Sequence, residues 1–280
     1  IASCLVGSEM CIRDRREPVS FDKILRRIAH LGHGLQRVDV VQVAQKTISG
    51  LYDGVQTTQL DALAAETSAY MASLHSDYAF LGARIELSNL YKQTPETFAE
   101  CAKRANLHGD VLAFVAEHAT ALEAAIDHAR DDRYDFFATK TLLKSYLRKD
   151  PDTKRIVERP QYMLMRIAAG IHHASGDVGA CIETYDALSR GEVSHATPTM
   201  FNSGTPHPQM ASCFLMTIPD DSMDGILQSL TWCGKISKYA GGIGLDITKV
   251  RAKGSYIRGS DGVSNGIVPM LRVFDGLSLI

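Results

Sequence analysis

The 280-residue chain has no apolar run of the length needed to cross a bilayer, so no membrane span is expected. It has no surplus of either charge: 30 Lys and Arg stand against 32 Asp and Glu. That balance excludes a nucleic-acid binder recognised by charge alone, and it excludes an acidic disordered tail. Proline is scarce at 9 residues and glycine ordinary at 22, a total far too low for a fibrous or low-complexity chain. The six cysteines, at 4, 11, 101, 181, 213 and 233, include no CxxC pair. Their gaps fit neither a zinc ribbon nor a small disulfide scaffold, and the ten histidines show no metal-ligand spacing, so no metal is assigned. The start lacks a basic leader followed by an apolar stretch, so it does not read as a secretory signal. Reduced thiols in the cytoplasm are the expectation.

What is present is ordinary globular composition, 45% hydrophobic and 22% charged, with length for about two domains. Residues 1–15 have no clean periodicity and read as a non-native segment outside the fold. Residues 16–95 read as four short helices without a β-rich partner. Phe21, Ile24, Leu25, Ile28 and Leu31 form one amphipathic face that stops at Gly32. Val40–Leu51 is a second helix, a Thr of Thr57-Thr58 caps a third, and Tyr78–Tyr91 is a fourth. Residues 96–210 are also mainly helical. Asp110–Ile126 and Tyr134–Leu147 are expected helices, Asp150-Pro151-Asp152 a hairpin turn, and Pro160 and Asp177 open two more helices. Residues 211–280 change to an αβ pattern. Cys213–Met216, Leu245–Ile247 and Ile267-Val268 read as short strands, Ser222–Tyr239 as a helix, and Ala240-Gly241-Gly242-Ile243-Gly244 as a Gly-rich loop.

Several clusters could carry chemistry, each with an ordinary alternative. The glycines at 241, 242 and 244 lack the third glycine of a dinucleotide fingerprint and the Gly-Lys-Ser/Thr of a P-loop, so alone they are a tight turn. HATPTMFNSGTP supplies hydroxyl and backbone donors that suit a diphosphate or simply cap a loop. Cys213 is either a redox thiol or a small buried hydrophobe. Asp221 could accept from a ribose hydroxyl while Lys238 and Arg251 hold phosphates; the alternative is a capped helix with a basic end. Lys23, Thr57, Asp61 and Lys92 are either a nucleotide pocket or solvated helix faces.

Three sets of motifs, in order, decide among these. They are HATPTMFNSGTPHPQMASCFL, DDSMDGI, ISKYAGGIGLDITKVRAKGSYIRG and SNGIVPMLRVF; ERPQYMLMRIAAGIH and CIETYDALS before them; and VSFDKILRRI, GLYDGVQTTQLDALAAETSAYM and DYAFLGARIELSNLYK at the start. Together they resemble the large (α) subunit of class I ribonucleotide reductase of the eukaryotic and viral type, collinearly from about residue 16 to residue 280. The resemblance implies an α/β chain: an ATP-cone over 16–95, a helical domain over 96–210, and over 211–280 the first elements of a ten-stranded α/β barrel. It implies reduction of ribonucleoside diphosphates to 2′-deoxyribonucleotides by radical chemistry. Cys213 matches a redox cysteine whose partner lies beyond the chain end. Thr197, Ser212 and Gly242 match substrate contacts. Asp221, Ser222, Met223, Lys238, Arg251, Arg258 and Gly259 match an allosteric specificity site for dNTP or ATP. Glu17, Lys23, Thr57, Asp61 and Lys92 match an activity site for ATP and dATP. Expected partners are a small (β) subunit holding the metal-radical cofactor, a second large subunit, and thioredoxin or glutaredoxin; neither membrane nor nucleic acid is expected. One departure is local: the family's Lys-Arg-Asp-Gly strand is here CIRDRR. The other is larger, since the radical cysteine has no counterpart, so the chain reads as an N-terminal fragment, inactive alone. An ATP-cone regulator without chemistry would leave 195–280 unexplained, and a cobalamin-dependent or anaerobic relative fits the motifs less well.

Overall fold

A computed structural model describes residues 9–12, 15–18, 20–239 and 241–277. The readings placed on residues 1–8, 13–14 and 278–280, and on the side chains of Cys11 and Glu17, lie outside the described residues. The chain divides into two compact units: residues 1–194 with 204–206, and residues 195–203 with 207–280.

The first unit opens with strands β1 (Glu9–Ile12) and β2 (Arg15–Pro18), then helices α1 (Phe21–Leu31) and α2 (Val40–Ser49). Ile24 and Ile28 bury the apolar face of α1, as the spacing predicts. Asp39 caps α2, its Oδ1 accepting from the amides of Val41 and Gln42 at 3.0 Å each. Next come β3 (Val55–Gln56), α3 (Thr57–Tyr70) and α4 (Asp77–Tyr91). Two expectations are corrected here. No threonine caps α3: Gln56 precedes the helix, and Gln59 Oε1 accepts from the Gln56 amide at 3.0 Å, the returning half of a capping box. The helices also do have a β partner, a three-stranded sheet ordered β2-β1-β3, antiparallel between β1 and β2 and parallel between β1 and β3. A two-residue strand such as β3 is too short to show an alternating pattern. Helices α3 and α4 pack closely because Gly82 has no side chain; a Cβ there would lie 2.8 Å from the Ala65 carbonyl oxygen.

The rest of this unit is helical: α5 (Phe98–Arg104), α6 (Gly109–Glu117), α7 (Ala119–Ala125), α8 (Phe136–Thr141), α9 (Pro160–His172) and α10 (Val178–Arg190). The single helix expected over 110–126 is two, because His118 leaves helical geometry at φ −107° and ψ 17°. The hairpin forms: Lys149 bridges Ile156, and Asp150 Oδ1 accepts from the amides of Asp152 and Thr153 at 2.9 and 2.8 Å. Pro160 opens α9, which is buried from Pro160 to Gly170. Inside it, Arg166 is fully buried and paired to Glu158 at 2.7 Å, so neither charge stands alone in the core. Asp177 caps α10 through the Ala180 amide at 2.9 Å, and Gly191, at φ 73°, ends it.

The second unit holds α11 (Thr197–Asn202), β4 (Cys213–Thr217), α12 (Met223–Ser237), β5 (Gly242–Asp246), β6 (Tyr256–Ile257), β7 (Gly262–Val263) and α13 (Ile267–Leu277). Strands β4 and β5 pair in parallel, Cys213 opposite Gly242 through Thr217 opposite Asp246, with α12 as the crossover. Two more expectations are corrected. The Gly-rich stretch is not a loop, since Gly242, Ile243 and Gly244 are strand residues. A Cβ on Gly244 would sit 2.7 Å from Leu215 Cδ2, and one on Gly241 2.6 Å from Ile236 Cγ2, so these glycines admit neighbouring side chains. Ile267-Val268 is the first turn of α13 rather than a strand, and Pro269 is tolerated there because first-turn amides have no intrahelical acceptor.

Candidate functional site

In the first unit, α1, α3 and α4 enclose a cavity of about 130 Å³. Ile24, Ile28, Leu60, Ala64 and Ile85 give it apolar walls, and Lys23, Arg27, Thr57, Asp61 and Lys92 give it polar ones. Asp61 is its centre, 5% exposed on a helix that also buries Leu60, Ala64, Ala65 and Ser68. Arg27 clamps it from α1, with Nε 2.7 Å from Oδ1 and an η-nitrogen 2.8 Å from Oδ2. Lys92, the residue that caps α4, places Nζ 3.0 Å from Oδ2. A carboxylate that is almost fully buried is tolerable because two cations neutralise it. The enclosed space suits one ring or phosphate group; a whole nucleotide would extend along Lys23 and Lys92 at the rim. Thus Lys23, Thr57, Asp61 and Lys92 are brought together, while the Glu17 side chain lies outside the described residues. Arg27 was missed by sequence reasoning. It lies four residues after Lys23, one helical turn along the same face, and that spacing was the available signal.

In the second unit, Asp221, Ser222, Met223 and Arg251 line a cavity of about 430 Å³ whose walls are Ile226, Leu230, Ile257 and Phe274. Ser222 caps α12, its Oγ accepting from the Gly225 amide at 3.0 Å and donating to Asp220. Arg251 reaches Asp221 with Nε 2.5 Å from Oδ2, and its other nitrogens bind the carbonyls of Asp221 at 3.3 Å and Tyr256 at 3.1 Å. One cation, one carboxylate and a helix N-terminus thus face a largely apolar slot. That combination can hold a ring and an anionic group together. Lys238 is not brought to this cavity, because the 15 residues of α12 separate it from Ser222. Its Nζ lies 5.6 Å from the Tyr239 ring centre. Arg258 and Gly259 follow Ile257 in the turn between β6 and β7 and do not line the cavity either.

Cys213 begins β4, exposed, with Ser212 Oγ 3.7 Å from its Sγ. Gly242 stands opposite, its amide donating to the Ser212 carbonyl at 2.8 Å; a Cβ on it would come within 3.8 Å of the sulfur. Ser212, Cys213 and Gly242 therefore form one small cluster at the strand ends. Thr197 begins α11, which is tied to the approach to β4 by Thr199 Oγ1 on the Met210 carbonyl at 3.1 Å and Asn202 Nδ2 on the Gln209 carbonyl at 2.7 Å. The other described cysteines, Cys101, Cys181 and Cys233, are buried. Burial pushes the Cys101 and Cys181 thiols up, the second to about 12, so neither is a ready thiolate. Asp246, the acidic residue near the glycines, turns its carboxylate to the Thr248 amide at 2.9 Å and so closes a turn. Among the described residues no helix is long and apolar enough to cross a membrane.

Comparison with known proteins matches residues 132–208 to the model for the ribonucleotide reductase all-alpha domain and residues 211–278 to that for the ribonucleotide reductase barrel domain. The ribonucleoside-diphosphate reductase large chain of Cryptosporidium parvum is 48% identical over 276 residues, 94% of this chain and 34% of that protein. The large subunits of Dictyostelium discoideum and Arabidopsis thaliana are 50% and 49% identical, over 93% of this chain and 32% and 33% of theirs. The chain therefore spans about a third of the length of the curated relatives it matches.

Proposed function

Because the chain belongs to the ribonucleotide reductase large-subunit family, we propose that it is the part of a ribonucleoside-diphosphate reductase that holds two effector sites and one redox cysteine. The observation that carries this reading is Cys213. It is the one exposed thiol among the described cysteines, and it sits at the head of a parallel strand beside Ser212 and Gly242. In the reaction the ribose 2′-hydroxyl leaves as water and a hydrogen takes its place. The two electrons come from two thiols, which end as a disulfide, and thioredoxin or glutaredoxin returns the pair to the thiol form. Cys213 is one of those thiols. The buried positions of Cys101, Cys181 and Cys233 leave none of them suited to be the other. Ser212, Gly242 and Thr197 would hold the diphosphate substrate near it.

The Asp61 pocket takes ATP or dATP as the ATP-cone's activity site, with Glu17 in its strand completing it. The Asp221 pocket takes a dNTP or ATP as the specificity site, and Lys238, Arg258 and Gly259 complete it where a second large subunit docks. The α/β unit forms the start of a ten-stranded barrel. A small subunit supplies the radical from its own metal centre, so this chain needs no metal for the step. A reducing compartment, the cytoplasm, suits the thiol chemistry. The test is Cys213→Ser in the full-length large subunit, assayed with small subunit and thioredoxin. Loss of steady turnover is expected, and undiminished turnover overturns the reading. The 280-residue chain alone is expected to give no steady product.

A further inference from the structure

We infer that a buried polar chain, Tyr91–Asp131–Gln161–Tyr185, transmits occupancy of the Asp61 pocket to helices α9 and α10; this rests on that pocket being a nucleotide site. The last turn of α4 faces two ways. On one side, Lys92 binds Asp61 at 3.0 Å, and Ser88 Oγ accepts from the same Arg27 guanidinium that clamps Asp61, at 3.3 Å. On the other side, Tyr91 donates its hydroxyl to Asp131. Asp131 Oδ1 accepts from Gln161 Nε2 at 2.7 Å, Gln161 Oε1 accepts from the Tyr185 hydroxyl at 2.7 Å, and that hydroxyl accepts from the Asp127 amide at 3.0 Å. Gln161 is on α9 and Tyr185 on α10, and both are fully buried. Arg159 fastens the same turn, with Nε on Thr94 Oγ1 at 3.0 Å and its guanidinium 4.8 Å from the Tyr91 ring centre.

Phosphate groups arriving at Lys92 and Arg27 compete with Asp61 for both cations. The groups that must adjust, Ser88 and Lys92, bracket Tyr91. The far side has room and reason to respond. Tyr91 and Asp131 border a cavity of about 350 Å³, together with Arg84 and His128. The Arg84 Nε and His128 Nδ1 atoms there are buried with no hydrogen-bond partner. A polar junction beside open space and two unpaired polar atoms has a second arrangement within reach, whereas a fully enclosed and satisfied one would resist it. The coupling is reciprocal, so breaking the chain at its middle alters the response without touching the nucleotide.

The experiment is hydrogen exchange on the 280-residue chain with and without ATP, for the unaltered chain, Tyr91→Phe and Asp131→Asn. In the unaltered chain ATP is expected to slow exchange over 57–64, and also to change it by about fivefold or more over 161–166 and 181–189. In both variants the near change persists and the distant one is lost. A distant change that survives both substitutions overturns the inference. So does ATP protection at 57–64 with no distant change in the unaltered chain. Absence of protection even at 57–64 overturns the reading of the pocket, and the inference with it.

Discussion

Asp131 and His128 are neighbours whose protons respond to burial in opposite senses. Burial raises the Asp131 carboxyl from 3.8 to about 6, so the folded chain binds that proton more tightly than the unfolded one. Its contribution to stability therefore falls as pH rises from about 4 to about 6. Burial lowers the His128 imidazole from 6.5 to about 4, so there the unfolded chain binds the proton more tightly. Its contribution is complete above about 6.5 and is lost as pH falls toward about 4. Asp131→Asn should make stability rise more steeply with pH across this window than in the unaltered chain, and His128→Gln should flatten or reverse the rise. Urea midpoints taken every half unit of pH check this; unchanged slopes in both variants would refute it. The thiols give a second expectation. Cys213 should react with iodoacetamide well ahead of Cys101, Cys181 and Cys233, as read by peptide mass spectrometry, since only it among them is exposed. At this scale the residues alone left Lys23, Asp61 and Lys92 open between a pocket and solvated helix faces; the family resemblance singled them out, and they converge. The Tyr91–Asp131–Gln161–Tyr185 chain was not, because its members are 24 to 40 residues apart in sequence and meet only through packing.

Helix α4 presses against α3 and lines the Asp61 pocket. Its closeness to α3 is set by Gly82, where a Cβ would lie 2.8 Å from the Ala65 carbonyl oxygen and 3.2 Å from the Phe136 ring. Backbone cannot yield as a flexible side chain can. Gly82→Ala should destabilise the chain by about 1–3 kcal/mol as overpacking, measured as a shift in the urea midpoint. Gly225→Ala in α12 should disturb the Ser222 cap, because a Cβ there would meet Asp220 at 2.5 Å. Helices with an apolar stripe and a glycine after the last turn, such as α1 with Gly32 and α10 with Gly191, were legible almost to the residue. Three boundaries were not: the break at His118, the glutamine pair that starts α3 in a rarer form of a common motif, and the strand through Gly242 and Gly244, which forms by pairing with Cys213–Leu215.

The whole molecule is two compact units, and each has a cavity where carboxylate and cation meet beside an apolar wall. Fold class and family were legible because the motifs occur in order along the chain. The charged residues that meet in the first cavity are 34 positions apart for Arg27 and Asp61 and 31 apart for Asp61 and Lys92, and Asp221 and Arg251 in the second are 30 apart. The enclosure of the two cavities could be seen only in three dimensions. The central claim is that both are nucleotide sites. The most direct test is equilibrium binding of dATP to the unaltered chain, to Asp61→Ala and to Arg251→Ala. The account predicts two sites in the unaltered chain, with each substitution removing a different one and leaving the other's affinity nearly unchanged. Two undiminished sites in both variants, or no saturable binding to the unaltered chain, would contradict it.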